Sequence, residues 1–278
     1  VLRGFYTAAS GMLSQQRRVE MLTNNIANAN TPGYKADQAS LRAFPDMLLT
    51  RLHTTSIPTK EPRSFRSQRP IGELNTGVYM QEMMPLFLQG DIKETGQNTD
   101  IALIDGNIPV DAETGMKGAL FFVVENGNGE IRYTRNGNFT LDAEGFLTTQ
   151  DGFYVLDENG RRIQLTSENF KVTKDGTIFE NDVPVTRINI AFAANPNRVV
   201  KEGNGLFRSE AGVLPSAIGN PNVTYQLQQG FLERSNVDLA RSMTDMMAAY
   251  RAFEANQKIL QAYDKSMDKA VNEIGRIR

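Results

Sequence analysis

The sequence predicts an α+β, mainly β protein. Two terminal helices pair as a coiled-coil-like domain, and the centre is an antiparallel, strand-rich domain. Three observations carry this reading. Apolar residues recur at helical spacing at both ends, the middle breaks into short β-prone segments divided by turn dipeptides, and the gaps leave no room for crossover helices.

In chain order, segment 2–29 reads as a helix. Leu2, Phe5, Ala9, Met12, Gln16, Val19, Thr23 and Ile26 follow alternating steps of three and four, and Leu22 thickens the stripe. Gly11 weakens a helix interior by about 1 kcal/mol unless a close neighbour needs the space. The run from Asn24 to Asn30, followed by Pro32-Gly33, ends the helix, since Asn favours caps and Pro-Gly punctuates the chain.

Residues 35–78 read as an extended connector. Its stretch 50–77 is rich in Thr, Ser and Pro, and Arg51, Lys60, Arg63, Arg66 and Arg69 make it basic. It is either a solvated connector or a patch that meets an acidic neighbour.

The β-rich region follows, over 79–232. Segments 119–124, 130–135, 138–142, 146–150, 153–157, 161–165, 170–174, 177–181 and 186–193 are short and β-prone. Asn126-Gly127, Asn136-Gly137, Asp151-Gly152, Asn159-Gly160 and Asp175-Gly176 separate them, which predicts hairpins.

The last element is a second helix. Ser235 and Asp238 form a candidate capping box. From there Leu239, Met243, Met246, Tyr250, Phe253, Gln257, Leu260, Asp264, Met267, Val271 and Ile274 hold a heptad-like spacing. A helix of about 50 Å exceeds a small domain's diameter, so its narrow stripe calls for a partner helix.

Composition narrows the function. With 278 residues the chain can build one large or two modest cores. A net charge of −2 offers no overall field for nucleic acid or anionic membrane. Cysteine is absent, so no thiolate chemistry or disulfide framework is available. His53 is the only histidine and lies in the connector without an activating partner, so multi-histidine metal sites are excluded. The glycines at 127 and 129 lack the strand-to-helix setting of a phosphate cradle, and no serine occupies a nucleophile elbow. Arg132-Tyr133-Thr134-Arg135 reads as cross-strand packing rather than a nucleic-acid strip. No catalytic, metal or cofactor residue is expected, and neither a nucleic-acid nor a small-molecule partner. No stretch reaches the ~20 apolar residues of a membrane helix. The N-terminal residues do not read as a secretory signal, so work outside the cytoplasm implies another export route.

Three runs of residues carry a family resemblance. Ala9-Ser10-Gly11-Met12 with Asn24 through Lys35, the run Arg132 through Asp142 with Gly145, and Leu232 through Leu239 with Met246 and Tyr250 through Asn256 resemble the signatures of flagellar basal-body rod and hook proteins, most like the distal-rod branch.

The resemblance implies a structural subunit of the rod, not an enzyme. Such a subunit leaves through the flagellar type III export apparatus and polymerises with itself and other rod or hook subunits into a helical axle. Residues 1–34 with 233–278 become the helical polymerisation domain. Leu2, Phe5, Met12, Val19, Ile26, Asn28, Met246, Tyr250, Phe253, Leu260 and Met267 become candidate assembly contacts. The alternatives are a hook or junction component of the same family, or a secreted binding module. Two departures from the family pattern stand out: Tyr34 where Phe is commoner, and a longer stretch at 105–118. A long stripe meant for neighbours also implies that 2–29 and 239–274 are marginal in the monomer.

Overall fold

A computed structural model describes residues 3–57, 63–111 and 115–273, with side chains described outside 52–69. Leu2, Lys60 and Ile274 lie outside the described residues, as do the side chains of His53, Arg63, Arg66 and Arg69. The chain is mainly β with two helices and forms two compact units. One comprises residues 1–24, 38–83 and 240–278; the other comprises 25–37 and 84–239.

The first unit holds most of helix α1 (Arg3–Ala27), most of helix α2 (Leu239–Asn272), and strands β1 (Asp37–Ala43), β2 (Met47–Ile57), β3 (Arg63–Leu74) and β4 (Val78–Pro85). The expected connector therefore carries strands. β2 and β3 form a long antiparallel ribbon, and β1 pairs with β4. α1 is tied to the start of β4 and the residues before it: the Ser14 and Thr7 hydroxyls donate to the Val78 and Thr76 carbonyls at 3.0 Å each.

Between the helices, the Thr23 hydroxyl meets the Met246 sulfur at 3.7 Å, and Arg18 lies 4.0 Å from Asp245. A Cβ on Gly11 would meet Asn256 at 3.1 Å, and one on Gly4 would collide with the Tyr263 hydroxyl. From Gly4–Tyr263 through Gly11–Asn256 to Thr23–Met246 the contacts advance along α1 as they retreat along α2, and the space at Gly11 is taken by Asn256.

Ser235 does not cap α2. Its hydroxyl accepts the Val237 amide at 3.3 Å as a local turn, and Asp238 directly precedes the first helical residue.

The second unit contains β5 (Ile92–Glu94), β6 (Ile101–Asp105), β7 (Ala119–Glu125), β8 (Ile131–Thr134), β9 (Phe139–Leu141), β10 (Leu147–Thr149), β11 (Tyr154–Val155), β12 (Phe170–Val172), β13 (Thr177–Glu180), β14 (Val183–Arg187), β15 (Ile190–Ala193), β16 (Val199–Lys201), β17 (Leu206–Ser209), β18 (Tyr225–Gln229) and β19 (Phe231–Glu233). The main sheet runs β16-β17-β8-β7-β11-β10-β9, with β15 also on β7. β12-β13-β14 form a second sheet, and β18 pairs with β6 and β19 with β5. Every registered pair is antiparallel, as the turn dipeptides require. Segment 161–165 forms only isolated bridges, Phe146 to Gln164 and Leu156 to Arg162.

β7 explains its own continuous apolar run. Leu120, Phe122 and Val124 enter one hydrophobic cluster, while Ala119, Phe121 and Val123 enter another. A strand covered on both faces has no polar alternation to show. Phe122 meets Phe139 edge-on at 5.1 Å, and Phe121 meets Phe207 at 5.3 Å. Phe122→Ala should therefore destabilise the second unit by about 3–5 kcal/mol. Urea unfolding followed by tyrosine fluorescence checks this.

Candidate functional site

The site lies within the second unit, where the segment after α1 meets the strand before α2. Tandem turns close the end of α1: the Asn28, Ala29 and Thr31 amides donate to Asn25, Ile26 and Asn28 carbonyls, each at 3.2 Å. Gly33 follows with φ +68°, a conformation costly for any residue with a Cβ. That Cβ would also lie 2.5 Å from the backbone of Arg135 and Asn136. The Gly33 amide donates to the Glu233 carbonyl at 2.8 Å. Pro32-Gly33 thus lets two distant stretches of backbone approach.

Four charges converge beneath this contact. The Glu233 carboxylate accepts Lys35 Nζ at 2.7 Å and the Gly90 amide at 2.8 Å on one oxygen, and Arg135 Nε at 2.7 Å on the other. Arg135 also donates to the Leu120 and Leu103 carbonyls and to Asp105 at 2.7 Å. Lys35 donates to the Leu88 carbonyl at 2.7 Å. The side chains of Lys35, Arg135 and Glu233 are each 2% exposed.

Burial pushes the Glu233 carboxyl up, but the charges and hydrogen bonds of Arg135 and Lys35 more than reverse this and hold it below the usual range. Burial, then the Arg135 charge, pulls the Lys35 ammonium down, with Glu233 and Asp105 opposing. Arg135 is pushed down by burial but held above its usual value by Glu233 and Asp105.

Two asparagines complete the seam. Asn236 Oδ1 accepts the Ala36 amide at 2.7 Å, and its Nδ2 donates to the Leu86 carbonyl at 2.8 Å. Asn25 Oδ1 accepts the Asp37 amide at 2.9 Å and the Tyr34 hydroxyl at 3.1 Å. The Tyr34 ring lies 3.6 Å beneath Lys201 Nζ, which pairs with Asp37 at 3.1 Å. Burial first, then Asp37, raises the Tyr34 hydroxyl well above its usual range. The Tyr34 hydroxyl thus supplies a buried donor to Asn25.

Elsewhere, the stretch at 105–118 folds back on itself. The Asp111 amide donates to the Met116 carbonyl at 2.8 Å, and Val110 bridges to Lys117, with 112–114 outside the described residues. Among the described residues no helix is long and apolar enough to cross a membrane, and no group of three or more acidic, His or Cys side chains is placed to hold a metal ion.

Of the sequence-derived contact residues, Phe5, Met12, Val19, Ile26, Asn28, Met246, Phe253, Leu260 and Met267 are half-buried, and Tyr250 is exposed. α2 buries only Ala249 fully; Ser242, Met246, Phe253, Asn256 and Leu260 are half-buried, while Leu239, Met243, Tyr250 and Val271 stay exposed. The heptad reading therefore divides into a half-buried set and an exposed set. Lys35, Arg135 and Glu233 lay within the quoted signatures, but no spacing joined them, and Asp105 carried no signal.

In the second unit buried charges join the segment after α1 to the strand before α2, and in the first unit α2 leaves Met243, Tyr250 and Val271 exposed, the build of an architectural protein. Comparison with known proteins says of which kind. Residues 5–35 match the family "Flagella basal body rod protein", residues 115–180 "Flagellar hook protein FlgE/F/G D1 domain", and residues 228–273 "Flagellar basal body rod FlgEFG protein C-terminal". The chain is 50% identical over 278 residues, all of both chains, to the flagellar hook-basal body complex protein FlhO of Bacillus subtilis. It is 31% identical to the flagellar basal-body rod protein FlgG of the same species, over 98% of this chain and 99% of that one. It is 30% identical to the basal-body rod protein FlgF of Caulobacter vibrioides, over 98% of each. The chain belongs to the flagellar basal-body rod and hook-basal body family, whose members are structural proteins of the basal body and not enzymes.

Because the folded-state pKa of Glu233 lies below its ordinary value of 4.5, the unfolded chain takes up the proton first as pH falls. The carboxylate's contribution to stability is full above that value and is lost as pH drops through the lowered folded value. Glu233→Gln should therefore be less stable than wild type by about 3 kcal/mol at neutral pH. The gap should narrow steadily below about pH 4.5. Urea midpoints of both proteins across pH check this.

Proposed function

We propose that this chain is a structural subunit of the flagellar basal-body rod, outside the cytoplasmic membrane. It polymerises through its terminal helices into the axle that transmits torque. Its neighbours are copies of itself and other rod or hook subunits, and it reaches its place through the flagellar type III export apparatus. Family membership supports the class. The opposed contacts from Thr23–Met246 to Gly4–Tyr263 support a coiled-coil-like pairing of α1 with α2.

The observation that carries the assembly reading is the exposed half of the α2 stripe. Met243 is 44% exposed, Tyr250 54% and Val271 72%, along a helix with only one fully buried residue. A solvated stripe of this length on one helix marks an interaction face. Contacts that extend a helical polymer are heterologous, so the face meets a different surface on the next subunit. In this reading Phe5, Met12, Val19, Ile26, Met246, Phe253, Leu260 and Met267 hold the helices together, Tyr250 reaches the neighbour, and Asn28 shapes the exit from α1. Few buried side chains in the helices also suit a segment that is marginal as a monomer and orders on assembly.

Met243→Asp combined with Tyr250→Asp should abolish swimming and remove the chain from purified basal bodies. Both positions are exposed, so the purified variant should unfold within about 0.5 kcal/mol of wild type. Normal motility with the variant present in intact basal bodies would overturn the assembly reading.

A further inference from the structure

We propose that the Lys35–Glu233–Arg135–Asp105 cluster is a completion latch, which holds the segment after α1 and the strand before α2 on the second unit only as a pair. The inference rests on the geometry of that unit and is independent of the rod reading.

Charge balance carries it. Arg135 and Asp105 come from the middle of the chain and form a neutral ion pair at 2.7 Å. Lys35 comes from the N-terminal segment and Glu233 from the C-terminal strand, 198 residues away. If Lys35 docks alone, the pocket holds two cations against one anion; if Glu233 docks alone, it holds two anions against one cation. Only the Arg135–Asp105 pair with both ends away, or the complete set of four, is neutral. In the complete structure Lys35, Arg135 and Glu233 are each 2% exposed, so neutralising one of them leaves an unbalanced charge at a site made for a pair, which is costly.

Three backbone amides enforce the same dependence. The Gly33 amide uses the Glu233 carbonyl, the Ala36 amide uses the Asn236 side chain, and the Gly90 amide uses the Glu233 carboxylate. With the C-terminal strand and the residues after it away, the Gly33 and Ala36 amides of the N-terminal segment, and the Gly90 amide, lose these acceptors. The strand in turn depends on Lys35 to neutralise Glu233. The two ends therefore seat together, after the whole chain is available, and the latch closes last.

Native-state hydrogen exchange on the full-length protein tests this. Lys35→Met should speed exchange of the distant Arg234 amide, which bonds to the Asp91 carbonyl, as much as that of Gly33, by about a hundredfold. The amides of Leu120–Val124 should keep wild-type rates. Lys35→Met combined with Glu233→Gln restores neutrality and should recover protection at both segments by about tenfold or more relative to Lys35→Met.

Two results would overturn the latch: acceleration confined to the segment that carries the substitution, or a double variant that exchanges faster than either single one. Should Lys35→Met not fold, Asp105→Asn leaves an imbalance of the same size and opposite sign, one excess positive charge, at a less buried side chain. It should loosen both segments equally, and loosening at only one of them would count against the latch.

Discussion

The structure depends on one shared carboxylate. Glu233 divides its two oxygens between a lysine just after the first helix and an arginine from the middle of the chain, and its side chain is 2% exposed. Such an arrangement is weak evidence for net stability, because apolar side chains of the same volume would often serve as well. It provides specificity instead. A greasy pocket would accept either end of the chain in several registers, whereas two fixed donors and two fixed acceptors accept one. Gly33 on the Arg135 backbone and Asn236 on the Ala36 amide repeat that register in uncharged form.

The rest of the second unit keeps this cluster dry and rigid. β7 has both faces buried, and its Leu120 carbonyl receives Arg135, so the main sheet is bonded directly to the ionic seam. β6 contributes Asp105 and the Leu103 carbonyl from one chain neighbourhood. The helices have the opposite character. Their side chains are mostly half-buried or exposed, and what they lack in core they offer as surface. The two units thus differ in how much side chain they bury: the second holds the hydrophobic clusters, while the helices of the first keep most side chains half-buried or exposed.

Much of this was legible in the sequence, for physical reasons that differ by element. The hairpins β10–β11 and β12–β13 were legible because their turns place Gly152 and Gly176 at positive φ, whereas Asn136-Gly137 has no such residue and joins β8 to β9, which do not pair. β7 stood out because a strand buried on both faces must be apolar throughout. The ribbon β2–β3 was missed because it is polar and stands alone, so neither alternation nor an apolar run marks it. The phase of α2 was half legible. Apolar residues marked the stripe, but on one side the surface turned inward runs through Ser242, Ala249 and Asn256, small or polar residues that let Gly11 approach. The ionic cluster was illegible, since nothing in spacing singles out one Lys and one Glu among many separated by 198 residues.

The most direct measurement exploits the absence of cysteine. Single cysteines placed at Met243 and Tyr250 would be probed with a maleimide, first in the purified monomer and then in intact basal bodies carrying the variants. Exposed in the monomer and covered by the next subunit in the axle, both should react freely in the first state and be protected in the second. Equal reactivity in both states would show that the open stripe of α2 stays open, and would contradict assembly through the terminal helices.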